Sequence, residues 1–190
     1  MPVHGRAGAS LSGDAAFASS KGAADAGRQG EVLTAAVLNM MAQDRGFAVF
    51  HDLAIPGTKA NVDHVVVAGN KVWVIDSKRW KPGFYWTLGG RTRRGGESFP
   101  SADKRGLPLV RIRLAQFLVA KRLDVQVQRP LMVVHNTRPA EKQSLWAYRP
   151  RGDEYPRSRP RVVRPDALSF PAVAADPRIV QALAPLVATP

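Results

Sequence analysis

Two carboxylates and a lysine interrupt apolar stretches of this sequence, where ionisable side chains need a chemical reason. Asp63 lies within the stretch 61–67, and Asp76 and Lys78 lie within the stretch 72–78. Because burying an unpaired carboxylate is costly, these residues indicate a functional site rather than a core. Two acids at a free edge suit a hard divalent cation such as magnesium. A lysine beside them can orient or deprotonate a water, or hold a phosphate oxygen.

Strand geometry is what would bring these residues together. Both stretches are rich in β-branched residues, and Gly69-Asn70-Lys71 between them has turn chemistry, so we predict a hairpin. In a hairpin, Asp63 near the start of the first strand lies close to Asp76 near the end of the second. Side chains alternate along a strand, so Asp76 and Lys78 point to one face and Ser77 to the other.

Three segments in this order resemble a known protein family. Asp63 followed by residues 76–78 resembles the D…(D/E)-x-K signature of the PD-(D/E)XK nuclease superfamily. The flanking segments read G-R-Q-G-E, A-N-V-D-H-V and I-D-S-K-R-W. They closely resemble the nuclease-related domain (NERD) family, with its G-x-x-G-E helix start, A-N-x-D-H strand and acid-x-K-x-W strand. The resemblance covers residues 27–135, with Asp76 where that family more often has Glu.

This resemblance implies both a fold and an activity. The fold is α/β, with a restriction-endonuclease-like core in which a central mixed β-sheet of about four or five strands is flanked by helices in the order α-β-β-β-α-β. The activity is metal-dependent endonucleolytic hydrolysis of phosphodiester bonds in DNA. Asp63, Asp76 and the main-chain carbonyl of Ser77 would bind Mg2+ or Mn2+. Lys78 would activate water, and Glu31 would complete the acidic cluster.

Three other polar residues each have a structural and a functional interpretation. Glu31 is either a first-turn glutamate favoured by the helix dipole or, as the resemblance implies, a third carboxylate of the site. Gln116 is either a half-exposed glutamine or an accessory site residue, because several nucleases of this superfamily carry a glutamine on the corresponding helix. His64 projects to the face opposite Asp63. We expect it to hydrogen-bond beneath a helix and leave it out of the catalytic set.

The composition favours a polyanionic partner. The chain has 190 residues, 45% of them hydrophobic, and a formal net charge of +13, which predicts one domain that binds nucleic acid. Absence of cysteine excludes disulfides and thiolate metal sites. No stretch is long enough to span a membrane, so we predict a cytoplasmic protein without a membrane partner. DNA is the expected partner, with RNA left open. A homodimer is a further expectation, because many nucleases of this fold act as dimers.

The elements that would position the site follow from the order of the chain. From their composition, we predict that residues 1–26 form a flexible leader. From the resemblance, we predict that residues 27–137 form the nuclease core. The core begins with a helix from residue 26 or 30 to residue 43, ended by Gly46. A strand at 47–53 follows, with its last polar residues, His51 and Asp52, exposed to solvent.

The second half of the chain completes the prediction. A helix at 103–123, with Pro108 near its first turn, crosses over to a strand at 130–135. Residues 138–190 form a basic Arg/Pro-rich extension, either a phosphate-contacting arm or a poorly ordered linker. Within it we predict a short strand at 145–148 and a short helix at 176–187.

A second hairpin is predicted at residues 84–94, which run from aromatic residues through a Gly-Gly turn to arginines. Aromatic side chains among arginines can stack on bases and hold phosphates. The alternative is an ordinary hairpin whose basic edge prevents further pairing. The nucleic-acid-binding candidates in and before this hairpin are Arg79, Lys81, Arg91, Arg93 and Arg94.

Two alternatives to a nuclease remain open. A nucleic-acid-binding module that keeps the fold without cutting explains the positive charge equally well. It does not explain two acids and a lysine inside buried strands. A structural metal site would explain the acids, but it needs no basic surroundings, so we rank it last.

Overall fold

The computed structural model describes residues 3–8, 21–58, 61–99, 106–150 and 159–187. Within these ranges the chain forms two mixed β-sheets with helices packed on both faces of the larger one. The elements are β1 (Val3–His4), α1 (Lys21–Arg45), β2 (Ala48–Ala54), β3 (Asn61–Ala68), β4 (Lys71–Trp80), β5 (Gly83–Leu88), β6 (Arg91–Arg94), β7 (Glu97–Ser98), α2 (Gly106–Ala120), β8 (Gln126–Val127), β9 (Leu131–Asn136), β10 (Gln143–Ala147), β11 (Arg161–Val163) and α3 (Pro177–Leu183).

The main sheet has the order β1-β2-β3-β4-β9-β11, with β8 beside β4. Strands β2, β3 and β4 are antiparallel, and α2 crosses over to β9, which pairs with β4 in parallel. The predicted hairpin and the order α-β-β-β-α-β are therefore confirmed. The predicted count of four or five strands is wrong: in the described chain this sheet has seven. The additional strands are two or three residues long, too short to leave a periodic pattern.

The N-terminal part of the chain differs from the prediction. Val3 pairs in parallel register with Val49 of β2, so the flexible leader predicted for residues 1–26 is wrong at this strand. Helix α1 begins at Lys21, in a segment whose alanines favour helix. Residues 9–20 lie outside the described ranges. Gly46 ends α1 as predicted: its φ is 76° and its N–H bonds to Ala42 O at 2.9 Å, a left-handed helix cap that suits glycine.

Each face of the main sheet carries its own apolar core. On one face, α2 and α3 pack Leu114, Leu118 and Ile179 against strand residues such as Val65 and Val74. By strand alternation, Asp63, Asp76 and Lys78 belong to this face. The opposite face carries α1, whose Leu38 and Ala42 pack with Val66 and Ile75. The site therefore lies on the α2 face, near the ends of β3 and β4.

The small sheet has the order β10-β5-β6-β7. Its β5–β6 hairpin confirms the second predicted hairpin. Its inner face packs on the main sheet through Trp80, Tyr85, Met132, Val134 and Tyr148.

The C-terminal extension joins both sheets. Strand β10 pairs with β5 and β11 pairs with β9, so the interpretation of residues 138–190 as a poorly ordered linker is wrong for these strands. Their pairing partners are distant in sequence, and local composition carries no signal of them. Helix α3 lies within the closing helix predicted at 176–187 and begins after Asp176, whose side chain accepts a hydrogen bond from Arg178 N at 2.9 Å. Helix α2 ends at Ala120 rather than at the predicted residue 123, and residues 100–105 before it lie outside the described ranges. Among the described helices, none combines the length and the apolar character that a membrane span requires.

Candidate active site

The register of the β3–β4 hairpin brings the predicted carboxylates and lysine together. His64 pairs with Ile75, so Asp63 and Asp76 occupy the next position along the hairpin. Asp63 Oδ2 accepts a hydrogen bond from Ser77 N at 2.6 Å. Lys78 Nζ lies 2.6 Å from Asp76 Oδ1 and 3.3 Å from the main-chain oxygen of Ser77. Two acids, a lysine and a carbonyl oxygen thus share one end of the sheet.

The charges at this end of the sheet are only partly compensated. Burial and the neighbouring Asp76 raise the pKa of Asp63 to about 7, against the opposing effects of Lys78 and the Ser77 N–H. Burial lowers the pKa of Lys78, but Asp76 and Asp63 outweigh it and the net pKa is raised. Asp76 Oδ2 is buried and accepts no hydrogen bond from any residue in the described part of the chain. A buried carboxylate oxygen without a donor indicates a place for a further cation.

Glu31 reaches the same cluster from α1. It is buried, and its pKa is raised to about 8 by burial, then by Asp63 and Asp52. Because α1 begins at Lys21, Glu31 lies well inside the helix, and its interpretation as a first-turn glutamate is wrong. Gly30 permits the close approach: a Cβ there would lie 3.4 Å from the carbonyl carbon of Lys78.

Asp52 is a member of this cluster that sequence reasoning missed. The prediction that His51 and Asp52 are exposed is wrong, because both are buried. His51 pairs with His64 and Leu53 with Val62, so Asp52 lies opposite Asp63 in the hairpin. The β2–β3 register was the signal that could have found it.

Asp52 also has an unusual backbone conformation. Its φ is 53°, a left-handed conformation that aspartate tolerates better than most residues. Asn61 Nδ2 donates to Asp52 Oδ1 at 2.9 Å. Such backbone conformations cluster at functional sites, and the carboxylate contributes to the raised pKa values of Glu31 and Asp63.

The available oxygens fit a hard divalent cation. In the described ranges no group of three or more His, Asp or Glu side chains is arranged to hold a metal by itself. The available donors are the Asp63 carboxylate, the unpartnered Asp76 Oδ2 and the main-chain oxygen of Ser77. Magnesium in proteins commonly takes one or two carboxylates and completes its shell with water and substrate phosphate. This all-oxygen set therefore fits magnesium or manganese better than a softer metal.

A chain of buried hydrogen bonds supports the site from the α1 face. Ser77 Oγ lies 3.0 Å from His64 Nε2 and 2.8 Å from Thr34 Oγ1. The chain continues on both sides, through His51 to Asn39 and from Thr34 to His135, with each contact 2.8 Å long. Burial lowers the pKa of His51 to about 4, and burial and His51 lower that of His64, so both are neutral. The predicted position of His64 beneath a helix is confirmed. These hydrogen bonds fix Ser77, and the Ser77 N–H in turn holds the Asp63 carboxylate.

The model of one protein family, the nuclease-related domain (NERD), matches residues 26–137. The chain belongs to the NERD family. The matched segment contains Glu31, Asp52, Asp63, Asp76 and Lys78. No curated protein and no solved structure matches the chain. Family membership indicates a nuclease-related function and a nucleic-acid partner.

Gln116 does not reach the NERD site. It is exposed, whereas Leu114 and Leu118, two residues away on either side, are buried. Two residues correspond to a rotation of about 200° around a helix, so Gln116 points away from the sheet. The prediction that it approaches the site is wrong. Apolar residues occur on both the buried and the exposed side of α2, so the sequence did not show which side faces the sheet.

The five basic candidates of this NERD protein separate into two groups. Arg79 is half-buried on the α1 face, where its Cβ packs against Gly30. Burial lowers the pKa of His135, and the charge of Arg79 lowers it further. The other candidates lie in or beside the small sheet. Arg94 pairs with Glu97 at 2.5 Å, whereas the exposed residues of this group are Lys81, Arg91 and Arg93.

Proposed function

We propose that this NERD protein is a metal-dependent endonuclease that hydrolyses phosphodiester bonds in DNA. The observation that carries the proposal is Asp76, with one oxygen bound by Lys78 and the other buried without a partner in the described chain, beside Asp63. In this arrangement the free oxygen of Asp76 can bind a cation, while Lys78 on the other oxygen can contact a phosphate. The net charge of +13 supports a polyanionic substrate.

Magnesium or manganese would be held by Asp63, Asp76 Oδ2 and the main-chain oxygen of Ser77. When bound, the metal would supply Lewis-acid stabilisation of phosphate charge and lower the pKa of a bound water. The chain contributes the fixed geometry. Ser77 N–H holds the Asp63 carboxylate in place, and the buried hydrogen bonds behind Ser77 keep β4 from shifting.

Lys78 would act as a positively charged donor. Its raised pKa keeps it protonated at neutral pH, and its side chain is 37% exposed, so a phosphate oxygen or an attacking water can reach it. A preorganised cation beside a developing negative charge stabilises the transition state without reorganisation.

Glu31 and Asp52 would complete the acidic side of the site. Glu31, with a pKa of about 8 after burial, carries a proton at neutral pH in the metal-free protein and can donate a hydrogen bond to water. Asp52 lies opposite Asp63 and is held by Asn61. Both would orient water near Asp63: Glu31 as a hydrogen-bond donor, and Asp52 as an acceptor.

Nicking of supercoiled plasmid tests the proposal directly. We expect the wild type to nick with magnesium or manganese and not with EDTA, and Asp76→Asn to nick at least about a hundredfold more slowly. Fluorescence anisotropy in EDTA should show equal DNA binding by both proteins. Metal-independent nicking, or full activity of Asp76→Asn, would overturn the proposal.

The same experiment separates the alternative supported by the net charge, a module that binds without cutting. That alternative predicts salt-sensitive binding by the wild type with no nicking under any metal condition. RNA of matched length, offered in parallel, decides between the two nucleic acids as substrate.

A further inference from the structure

The outer face of the small sheet carries exposed aromatic rings. Trp146 of β10 is 73% exposed and Phe84 of β5 is 40% exposed, and their ring centroids lie 5.9 Å apart. Trp86, two residues after Phe84, is on the same face by strand alternation. Arg93 lies over the Trp86 ring, with its guanidinium carbon 5.8 Å from the centroid. We call Phe84, Trp86, Arg93 and Trp146 the aromatic face.

The aromatic face is held rigidly from below. Tyr85, between Phe84 and Trp86, is fully buried and stacks on Trp80 at 5.0 Å. Trp86 Nε1 donates to Gly95 O at 2.8 Å, which orients its ring. The rings on the outer face are therefore not part of the apolar core on the inner face of the small sheet. Exposed aromatic clusters of this kind mark binding surfaces.

The charge beside the aromatic face is positive. Glu97 is the acidic residue in the four described strands of the small sheet, and it forms an ion pair with Arg94. Phe84 also lines a cleft whose basic residues are Lys81, Arg94, Arg138 and Lys142. Glu141 in this cleft is paired with Arg138 at 2.5 Å. Within the described ranges, Lys81 and Lys142 form no ion pair with an acid and are available to phosphates.

The small sheet also lies beside the candidate active site. Its inner face packs on Met132 and Val134 of β9. These residues pair directly with Asp76 and Lys78 of β4, and paired strands lie about 4.8 Å apart. A nucleic-acid strand bound along the small sheet would therefore lie on the same side of the main sheet as the acidic cluster.

We propose that the aromatic face binds unpaired nucleotides of the DNA substrate, with bases on Phe84 and Trp146 and phosphates at Lys81 and Lys142. The inference rests on the proposed function and specifies its substrate class, DNA with a single-stranded segment next to the cut. Stacking on aromatic side chains needs an accessible base face. Duplex bases cover one another's faces, so single strands are the chemistry that fits.

Fluorescence anisotropy with a labelled oligothymidine of about twelve nucleotides, in EDTA, tests the inference. We expect Trp146→Ala and Phe84→Ala each to weaken binding by about tenfold, and Trp146→Phe to retain most of it. Leu88→Ala is the matched control: Leu88 is also 73% exposed in β5 but has no aromatic ring. Binding of a blunt duplex of equal length should change by less than about twofold in all variants.

Equal binding of the oligothymidine by Trp146→Ala and wild type would overturn the inference, as would an equal loss in Leu88→Ala. A change of oligomeric state in Trp146→Ala, measured by sedimentation, with DNA affinity unchanged, would overturn it in favour of a contact between copies.

These outcomes are separate from those of the proposed function. Plasmid nicking by the wild type with no effect of Trp146→Ala on binding would leave the nuclease and remove the aromatic face. Loss of oligothymidine binding in Trp146→Ala without any nicking by the wild type would do the reverse.

Discussion

The two sheets of this NERD protein present opposite chemistry to their surroundings. At the main sheet, Glu31 of α1 and Asp52 and Asp63 of the strands bring carboxylates into or beside buried positions. Buried hydrogen bonds among neutral histidines and hydroxyls support Asp63 through Ser77. On the small sheet, Trp146 and Phe84 present apolar rings to solvent, and Arg93 lies over the ring of Trp86 on the same face. Carboxylates are buried at the site and aromatic rings are exposed on the aromatic face, the reverse of the usual distribution.

The difference indicates a division of work between the two regions. Chemistry on a phosphate needs charges that are desolvated and held still before substrate arrives, and only a packed sheet supplies that. Holding a flexible strand needs exposed rings and cations that tolerate many sequences. Variants of the main sheet should therefore change catalysis and stability, whereas variants of the small sheet should change affinity alone.

The largest expected effect is on catalysis. Lys78→Ala should lower the plasmid nicking rate by about a hundredfold to a thousandfold, because it removes the cation beside Asp76. Lys81→Ala, three residues on and in the small-sheet cleft, should change the rate by less than about tenfold when substrate is saturating. Steady-state rates at several DNA concentrations measure both. Equal losses in the two variants would contradict the division between sheets.

The next effect is on stability. His64→Ala should lower the free energy of unfolding by about 2–4 kcal/mol, because it leaves a cavity, removes the partner of His51 Nδ1 and removes one of the two partners of Ser77 Oγ in a buried site. Trp146→Ala should lie within about 0.5 kcal/mol of wild type, since its ring is exposed. Urea unfolding followed by circular dichroism gives both values. A comparable loss in Trp146→Ala would show that the aromatic face is structural.

A third prediction concerns pH in metal-free buffer. The folded-state pKa values of Asp63 and Glu31, about 7 and about 8, lie above the values of about 4 expected in the unfolded chain. Their contribution is fully present below the unfolded pKa and is lost as pH rises through 7 and 8. Thermal stability should therefore fall from about pH 4 to about pH 8 and level off above that.

The control for this prediction is Asp63→Asn, which has no charge at this position. Its thermal stability should fall less over the same pH range, and magnesium should raise the melting temperature of the wild type but not of the variant. A flat profile for the wild type would contradict the raised pKa values of Asp63 and Glu31.

The smallest expected effect is on the salt dependence of DNA binding. Lys142→Ala should weaken oligothymidine binding by a few-fold and reduce the slope of log K against log salt by about 0.7, the value for one phosphate contact on a single strand. Lys121→Ala, exposed after α2, is the control and should leave the slope unchanged. An unchanged slope in Lys142→Ala would place the phosphates elsewhere than the cleft.

Some of the site followed directly from the sequence. Strand alternation alone puts Asp76 and Lys78 on one face, and the Gly69 turn sets the hairpin that brings Asp63 to them. Gly46 ends α1 because few other residues accept its left-handed conformation. These are local rules, and they operate on neighbouring residues without knowledge of the rest of the chain.

Other parts of the site depended on contacts between distant residues. Asp52 enters the acidic cluster through the β2–β3 register, and Gln116 leaves it because the inward face of α2 is chosen by packing against the sheet. Neither position has a local signal, since burial is set by what the opposite element presents. The same holds for β10 and β11, which pair with strands far away in the chain.

The sequence by itself determined the NERD family, the α-β-β-β-α-β order and the meeting of Asp63, Asp76 and Lys78, because each depends on short-range periodicity and motif. Only the tertiary structure decided that Asp52 joins the acids, that Ser77 is held by buried histidines, and that Phe84 and Trp146 from distant segments form one exposed face. The physical reason is that burial and exposure are properties of a packed assembly. A side chain's environment is set by elements that its own segment of sequence does not encode.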